Sequence, residues 1–209
     1  MNRVLLADDH PLFRQALRAA ISRAQPDLVI EEVGTLQAAR AALSKGEDFA
    51  LILLDLKMPD CGGFSGLLCL RSEYPQIPIL VVSGSESPVT VSKTVALGAA
   101  GFIPKSSTVS EISEALEAVL AGDIWTPAST PAAQVPQFVD TIASLSPAQL
   151  RILMALQRGL LNKQIAHEMG VTEATVKAHM TIMFRKLGVS NRTQALIAAQ
   201  ALSLDGETA

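Results

Sequence analysis

Residues 49–60 read FALILLDLKMPD. From Ala50 to Leu54 every side chain is apolar, and the run stops abruptly at Asp55. So short a run is no helix, and it falls far below the roughly 18–20 residues that a membrane span needs. With no polar alternation it reads as a strand covered on both faces, the mark of a parallel sheet between helical layers. Val4–Ala7 repeats the pattern and ends in Asp8 and Asp9, while Val29–Val33, Ile77–Val82 and Gly101–Ile103 supply further strands. Helical spacing fills the gaps, over Pro11–Ala24, Leu36–Leu43, Phe64–Glu73, Pro88–Leu97 and Thr108–Ala121. Five strands alternating with five helices predict a doubly wound α/β domain over residues 1–122.

The polar residues of this half collect at one kind of place. Asp8, Asp9, Asp55, Ser83 and Lys105 each stand at or just past the carboxyl end of a strand. In an open parallel sheet that edge is where ligands bind. Asp and Ser also follow strands simply because they start turns and cap helices, which would account for any one of them. It does not account for three carboxylates, a hydroxyl and an ammonium on a single edge. Three carboxylates brought together repel and stay ionised only beside a cation. Mg2+ prefers oxygen ligands, commonly one or two carboxylates with water and phosphoryl oxygens. Asp55 so neutralised could attack phosphorus as a nucleophile, with Lys105 and Ser83 stabilising the phosphoryl oxygens.

The order ADD, then DLKMPD with Gly63 four residues beyond Pro59, then VVSGS, then GFIPKS, resembles the receiver domain of two-component response regulators across roughly residues 3–122. The resemblance implies a flavodoxin-like five-stranded sheet in the order 2-1-3-4-5. It implies that Asp55 is the phosphoacceptor and that Asp8, Asp9, Asp55 and the Lys57 carbonyl hold Mg2+. Ser83 and Phe102 are then the switch pair, the hydroxyl moving to the phosphoryl group and the ring turning inward behind it. Gly84 stands where the family usually has Ala, and Cys61-Gly62-Gly63 makes the loop after Asp55 unusually rich in glycine.

The chain has 209 residues, 49% apolar and 18% charged, enough for packed cores and unlike a disordered composition. Only 4% are aromatic, so aliphatic side chains must build those cores. No apolar run is long enough for a bilayer, and MNRVLLADDH meets acids too early for a secretion signal. Cys61 and Cys69 form no metal-ligand spacing and read as reduced thiols. These features exclude collagen, coiled-coil, disulfide-scaffold and membrane classes, and predict a cytoplasmic protein.

The formal charge of −3 is unevenly spread. Residues 1–125 hold 10 basic and 15 acidic side chains, whereas residues 145–204 hold 7 basic against Glu168 and Glu173 alone. Between the two lies TPASTPAAQVPQ (126–137), uncharged and interrupted by Pro127, Pro131 and Pro136. It reads as part of an extended linker over 123–143. Beyond it, residues 144–209 are helical throughout. Ser146-Pro147 opens a first helix, Asn162 caps a second ending at Gly170, Thr172 caps a third ending at Gly188, and Asn191 starts a fourth reaching about Leu204. Two helices joined by Gly-Val-Thr, the second carrying Lys177, Thr181 and Arg185, fit a helix-turn-helix. By spacing alone, a small four-helix bundle with a solvated basic face fits as well.

LLNKQIAHEMGVTEATVKAHM…FRKLGVSNRTQA resembles the LuxR-type DNA-binding domain over roughly 145–204, and with the receiver it has the NarL/FixJ layout. The resemblance implies that the helix from Glu173 to Leu187 enters the major groove. Lys177, Ala178 and Thr181 would face base edges, and Asn162, Lys163, Thr175, Lys186, Asn191 and Arg192 would contact phosphates. A Lys suits guanine edges and Ala178 a thymine methyl. Gln149 replaces a frequent Glu, Ile182 replaces the usual Asn of the groove helix, and His179 matches a family His more suited to packing than to reading bases. The expected protein is a transcription regulator rather than an enzyme, controlled by a sensor histidine kinase. It would act on double-stranded DNA, as a homodimer when active, through Ala195, Leu196, Ala199 and Leu202 of the last helix. An interaction module that no longer binds DNA and a phosphotransfer enzyme are the alternatives.

Overall fold

The computed structural model describes residues 3–128, 130, 137–199 and 202. Its first half alternates β1 (Arg3–Ala7), α1 (Pro11–Ala24), β2 (Val29–Val33), α2 (Leu36–Leu43), β3 (Phe49–Leu54), α3 (Phe64–Glu73), β4 (Ile79–Ser83), α4 (Pro88–Ala96), β5 (Gly101–Pro104) and α5 (Val109–Ala121). The strands pair in parallel in the order β2-β1-β3-β4-β5. β4 begins two residues later than the sequence suggests. The residue before it, Pro78, has no N–H to donate and contributes its carbonyl to Ile52 N at 3.0 Å, while Ile77 closes a turn onto Tyr74.

Alternation along each strand splits the interior into two layers. Leu5, Ile52, Leu54, Val81 and Phe102 face α2, α3 and α4, and Val4, Leu6, Leu51, Leu53, Leu80 and Ile103 face α1 and α5. β3 is buried almost throughout, whereas β2, at the sheet edge, is only half-covered. That is why 49–54 is the most uniformly apolar run and 29–33 carries Glu31 and Glu32.

Both ends of the expected linker are structured. Trp125 pairs with Gly101 as an added bridge on the β5 edge, its carbonyl accepting from Phe102 N at 3.0 Å. A Cβ at Gly101 would collide with that carbonyl, so the close approach requires glycine. At the other end, α6 (Gln137–Ala143) buries Val139 and Ile142 and packs between α4 and the helical half. An i, i+3 apolar pair is a weak signal beside three prolines, which explains its absence from the sequence reading. Most of the proline-bearing stretch lies outside the described residues.

α7 (Pro147–Gln157), α8 (Asn162–Met169), α9 (Glu173–Leu187) and α10 (Arg192–Ala199) complete the chain. Buried Gln149 closes the entry to α7: its Oε1 accepts from Ser146 N at 3.0 Å while Ser146 Oγ accepts from Gln149 N at 3.3 Å. A neutral amide does this as well as a Glu, without burying a charge. α8 and α9 join through Gly170 in the left-handed region (φ 66°) and the Thr172 cap. The two halves meet along α3 and α7, where Ser65 Oγ donates to Gln157 Oε1 at 3.3 Å. A cleft of about 640 Å³ opens beside this seam, with Asp60, Cys61 and Gly62 on its receiver side and Met154 and Met169 opposite.

Candidate functional site

Because β1, β3, β4 and β5 are parallel and contiguous, the residues following each carboxyl end converge on one edge. Asp8 and Asp55 are 1% exposed, Asp9 is partly buried, and Lys105 reaches between them. Its Nζ lies 2.6 Å from Asp8 Oδ2 and 2.7 Å from Asp55 Oδ2, over the Phe13 ring at 4.6 Å. Burial pulls the Lys105 pKa down, but its hydrogen bond to Asp55 and its close approach to the charges of Asp55 and Asp8 outweigh this and hold it above the ordinary value. Lys57 N donates to Asp55 Oδ1 at 2.9 Å and His10 N to Asp8 Oδ1 at 2.7 Å, so backbone amides fix both carboxylates. Arg14 Nη1 donates to the Asp8 carbonyl at 2.6 Å and steadies the loop.

The sequence reading overlooked His10. Its Nδ1 stands 2.7 Å from Asp9 Oδ1 and 3.8 Å from Asp55 Oδ2, and it joins Asp8, Asp9 and Asp55 in a group whose ligand atoms lie within 4.8 Å of one another. Its place directly after Asp8-Asp9 was the available signal. Asp8 Oδ2 and Asp9 Oδ1 are buried without a well-aligned hydrogen bond, although Lys105 and His10 lie close to them. Three carboxylates therefore face one ammonium and an imidazole. Buried oxygen acceptors in surplus over donors fit a hard divalent cation.

Ser83 and Phe102 are both fully buried. Ser83 Oγ accepts from Ser85 N at 3.2 Å rather than from any group of the acidic cluster, and the Phe102 ring lies inside the core beneath α4. A Cβ at Gly84 would meet open space, so nothing around this position requires glycine.

The loop after Asp55 is braced from two sides. Asp60 Oδ1 and Oδ2 accept from Leu36 N at 2.8 Å and Gln37 N at 2.9 Å, capping α2 from a distant part of the chain. Gly62 and Gly63 have φ of 60° and 64°, a region other residues rarely adopt. Cys61 then folds over α3 at Gly66, where any Cβ would land on its Sγ. Burial pushes the Cys61 thiol well up; burial and then Glu73 push Cys69 up to about 11. Both thiols are poor nucleophiles at neutral pH.

In the helical half, Lys163, Lys177, Ala178, Thr181, Lys186 and Asn191 are exposed, and Asn162, Thr175, Arg192 and His179 are half-buried. Several have structural partners. Thr181 Oγ1 donates to the Lys177 carbonyl at 3.0 Å, Asn191 Oδ1 accepts from Gln194 N at 2.9 Å, and Arg192 Nη2 donates to the Leu160 carbonyl at 3.0 Å. Lys186 Nζ donates to the Ser144 carbonyl at 2.7 Å, just beyond α6. Asn162 is not the cap of α8: Leu161 occupies that position, and Gln164 Oε1 accepts its N–H at 2.8 Å.

The dimer face expected at Ala195, Leu196, Ala199 and Leu202 requires correction. Ala195, Ala199 and Leu202 are wholly buried, and Leu196 packs on the same core. Spacings of four and three mark the inward side of α10, already covered by α7 and α9. The exposed apolar residue of this helix is Ile197.

A parallel sheet with an acidic carboxyl edge, joined to a helix-turn-helix domain, defines a receiver coupled to an output domain. Residues 4–117 match the family model of the response regulator receiver domain, and residues 143–199 that of bacterial regulatory proteins of the luxR family. The chain is 37% identical to the glycerol metabolism activator of Pseudomonas putida, covering 95% of both chains. It is 32% identical to the nitrate/nitrite response regulator NarL of Escherichia coli K12, covering 93% of both. Among solved structures it resembles a chain from the structure of two RcsB dimers bound to two parallel DNAs, with a TM-score of 0.57 and 25% identity over 97% of this chain and 100% of that one. The protein belongs to the two-component response regulators of the NarL/FixJ type, which are transcriptional regulators. Among the described residues, no helix is long and apolar enough to cross a membrane.

Proposed function

We propose that this cytoplasmic regulator is phosphorylated on Asp55 by a sensor histidine kinase and then binds double-stranded DNA as a homodimer through α9. The observation that carries this reading is the buried Asp55 carboxylate, fixed by Lys57 N and Lys105 beside Asp8 and Asp9. An Asp55 oxygen attacks the phosphorus of the kinase phosphohistidine. A P–O bond forms as the P–N bond breaks, and the imidazole nitrogen keeps the electron pair. Asp8, Asp9, Asp55 and the Lys57 carbonyl would hold Mg2+, which supplies positive charge against the phosphoryl oxygens. Lys105, already between Asp8 and Asp55, follows the charge onto a phosphoryl oxygen. Ser83 exchanges Ser85 N for another, over the buried Phe102 ring.

DNA binding rests on the exposed basic face of α9 and on the relatives, among which the RcsB structure holds dimers on DNA. Lys177, Ala178 and Thr181 read bases, and Asn162, Lys163, Thr175 and Asn191 position the domain on phosphates. Lys186 and Arg192 join them only on leaving the Ser144 and Leu160 carbonyls. The test is selection of genomic fragments by the purified protein with Mg2+, with and without beryllofluoride. Enrichment of an inverted repeat only with beryllofluoride is expected. Equal enrichment in both states removes phosphorylation as the gate for binding, and no enrichment in either removes the DNA reading.

A further inference from the structure

α9 leaves a large apolar side chain, Ile182, partly exposed away from its buried side. Val176, Met180, Met183 and Leu187 are its buried side. At about 100° per residue, Ala178 and Arg185 point opposite that side, and Thr181 and Ile182 flank them at about 50° on either hand. Ile182 is 39% exposed, and Ala174 and Ala178, eight and four residues before it, are exposed too. Arg185 and Lys186, three and four residues after Ile182, are exposed on the same side, and the Thr181 hydroxyl donates to the Lys177 carbonyl. An apolar stripe therefore runs diagonally across a basic face. The exposed part of Ile182 lies outside the buried set of α9, which is Val176, Met180, Met183 and Leu187.

We propose that Ile182, with Ala178, is a specificity-determining residue that reads the C5 methyl of thymine in the major groove. The inference rests on the assignment of α9 as the DNA-reading helix. Of the groups that base edges present in that groove, the thymine methyl is the apolar one. Phosphates and the polar edges of the other bases would lose water against Ile182 without gaining a hydrogen bond, at a cost in binding. Ile182 thus selects a T·A pair in each half-site, beside whatever Lys177 selects. One buried methyl contributes about 0.8 kcal/mol, or about fourfold in affinity.

The experiment selects full-length protein, with Mg2+ and beryllofluoride, on two random duplex pools. One contains thymine, and the other uracil in its place, which differs only by the absent methyl. The enriched site is then synthesised with single thymine-to-uracil changes and its affinity measured for the wild type, Ile182→Ala and Ile182→Asn. The expected result is one thymine per half-site whose conversion to uracil weakens wild-type binding about fourfold and leaves both variants unaffected. Circular dichroism verifies that the variants fold, and the wild-type series needs no variant at all. Equal wild-type affinity for thymine and uracil at every position overturns the proposal. So does a thymine preference that persists undiminished in both variants. Enrichment in neither pool overturns instead the DNA-reading assignment on which it rests.

Discussion

Asp8 and Asp55 are buried carboxylates that share one ammonium, so the charge of Lys105 is the quantity on which their spacing depends. Lys105→Met leaves the chain foldable around a cation but removes the group that meets the developing phosphoryl charge. Phosphorylation by a small phosphodonor with Mg2+, followed by phosphate-affinity electrophoresis, is expected to slow by about 10²–10³. Asp55→Asn should reduce it to background. A second residue-scale outcome concerns Gly66, whose missing Cβ is the space that Cys61 Sγ fills. Gly66→Ala should destabilise the protein by about 1–3 kcal/mol in urea. Adding Cys61→Ala should recover most of it but not all, because the Cys61 carbonyl would still lie 3.1 Å from the new methyl. The carboxylates and Lys105 were legible in the sequence because each closes an apolar strand. The Cys61–Gly66 fit was not, since complementarity between a loop and a helix leaves no periodic trace.

At the scale of elements, caps decide where helices begin, and two of them are unusual. α2 is capped within the chain by Thr35 and from across the fold by Asp60. Asp60→Ala should cost about 1–2 kcal/mol and loosen the N-terminal turn of α2, visible as faster hydrogen exchange at Leu36 and Gln37. α5 starts with a reciprocal pair in which Glu111 Oε2 accepts from Thr108 N at 2.7 Å and from its hydroxyl at 2.9 Å. The backbone bond and then the hydroxyl hold the Glu111 carboxyl below its usual range. A depressed carboxyl stabilises the fold above its unfolded value and ceases to do so as pH falls through the lower folded one. The Glu111→Gln variant should therefore show a shallower loss of melting temperature below about pH 4.5 than the wild type. Nine of the ten helices among the described residues were visible as apolar spacing bounded by Pro, Ser, Thr, Asn or Gly, most with bounds close to those observed. α8 was seen but its cap misplaced by one residue, because Gln164 reaches back to Leu161 in place of Asn162. α6 was missed, and α10 was seen with its inward face mistaken for an outward one. A single sequence marks a face as apolar without saying which copy of the chain covers it.

Across the whole molecule, the receiver and the helical half share one continuous apolar cluster running through α3, α6 and α7. The division of the chain was legible from charge and proline content. The contact between the halves was not, because the residues that make it also serve their own domains. Ala155 lines the cleft beside the seam and is almost fully buried. Ala155→Arg places a long cation there and should separate the halves. Small-angle scattering is expected to record a larger radius of gyration, with the rate of Asp55 phosphorylation by a small phosphodonor unchanged.

The seam also bears on how such a protein can be recombined. A proline-bearing connection suggests parts that can be exchanged freely, each receiver grafted onto any reader of DNA. Trp125 on the β5 edge, α6 against α4 and Ser65 against Gln157 make that exchange conditional. A chimera spliced after residue 122 inherits a foreign α3 opposite its α7, and a foreign sheet edge where Trp125 must dock. Kinase choice and operator choice can thus diversify separately only while the surfaces between them descend together.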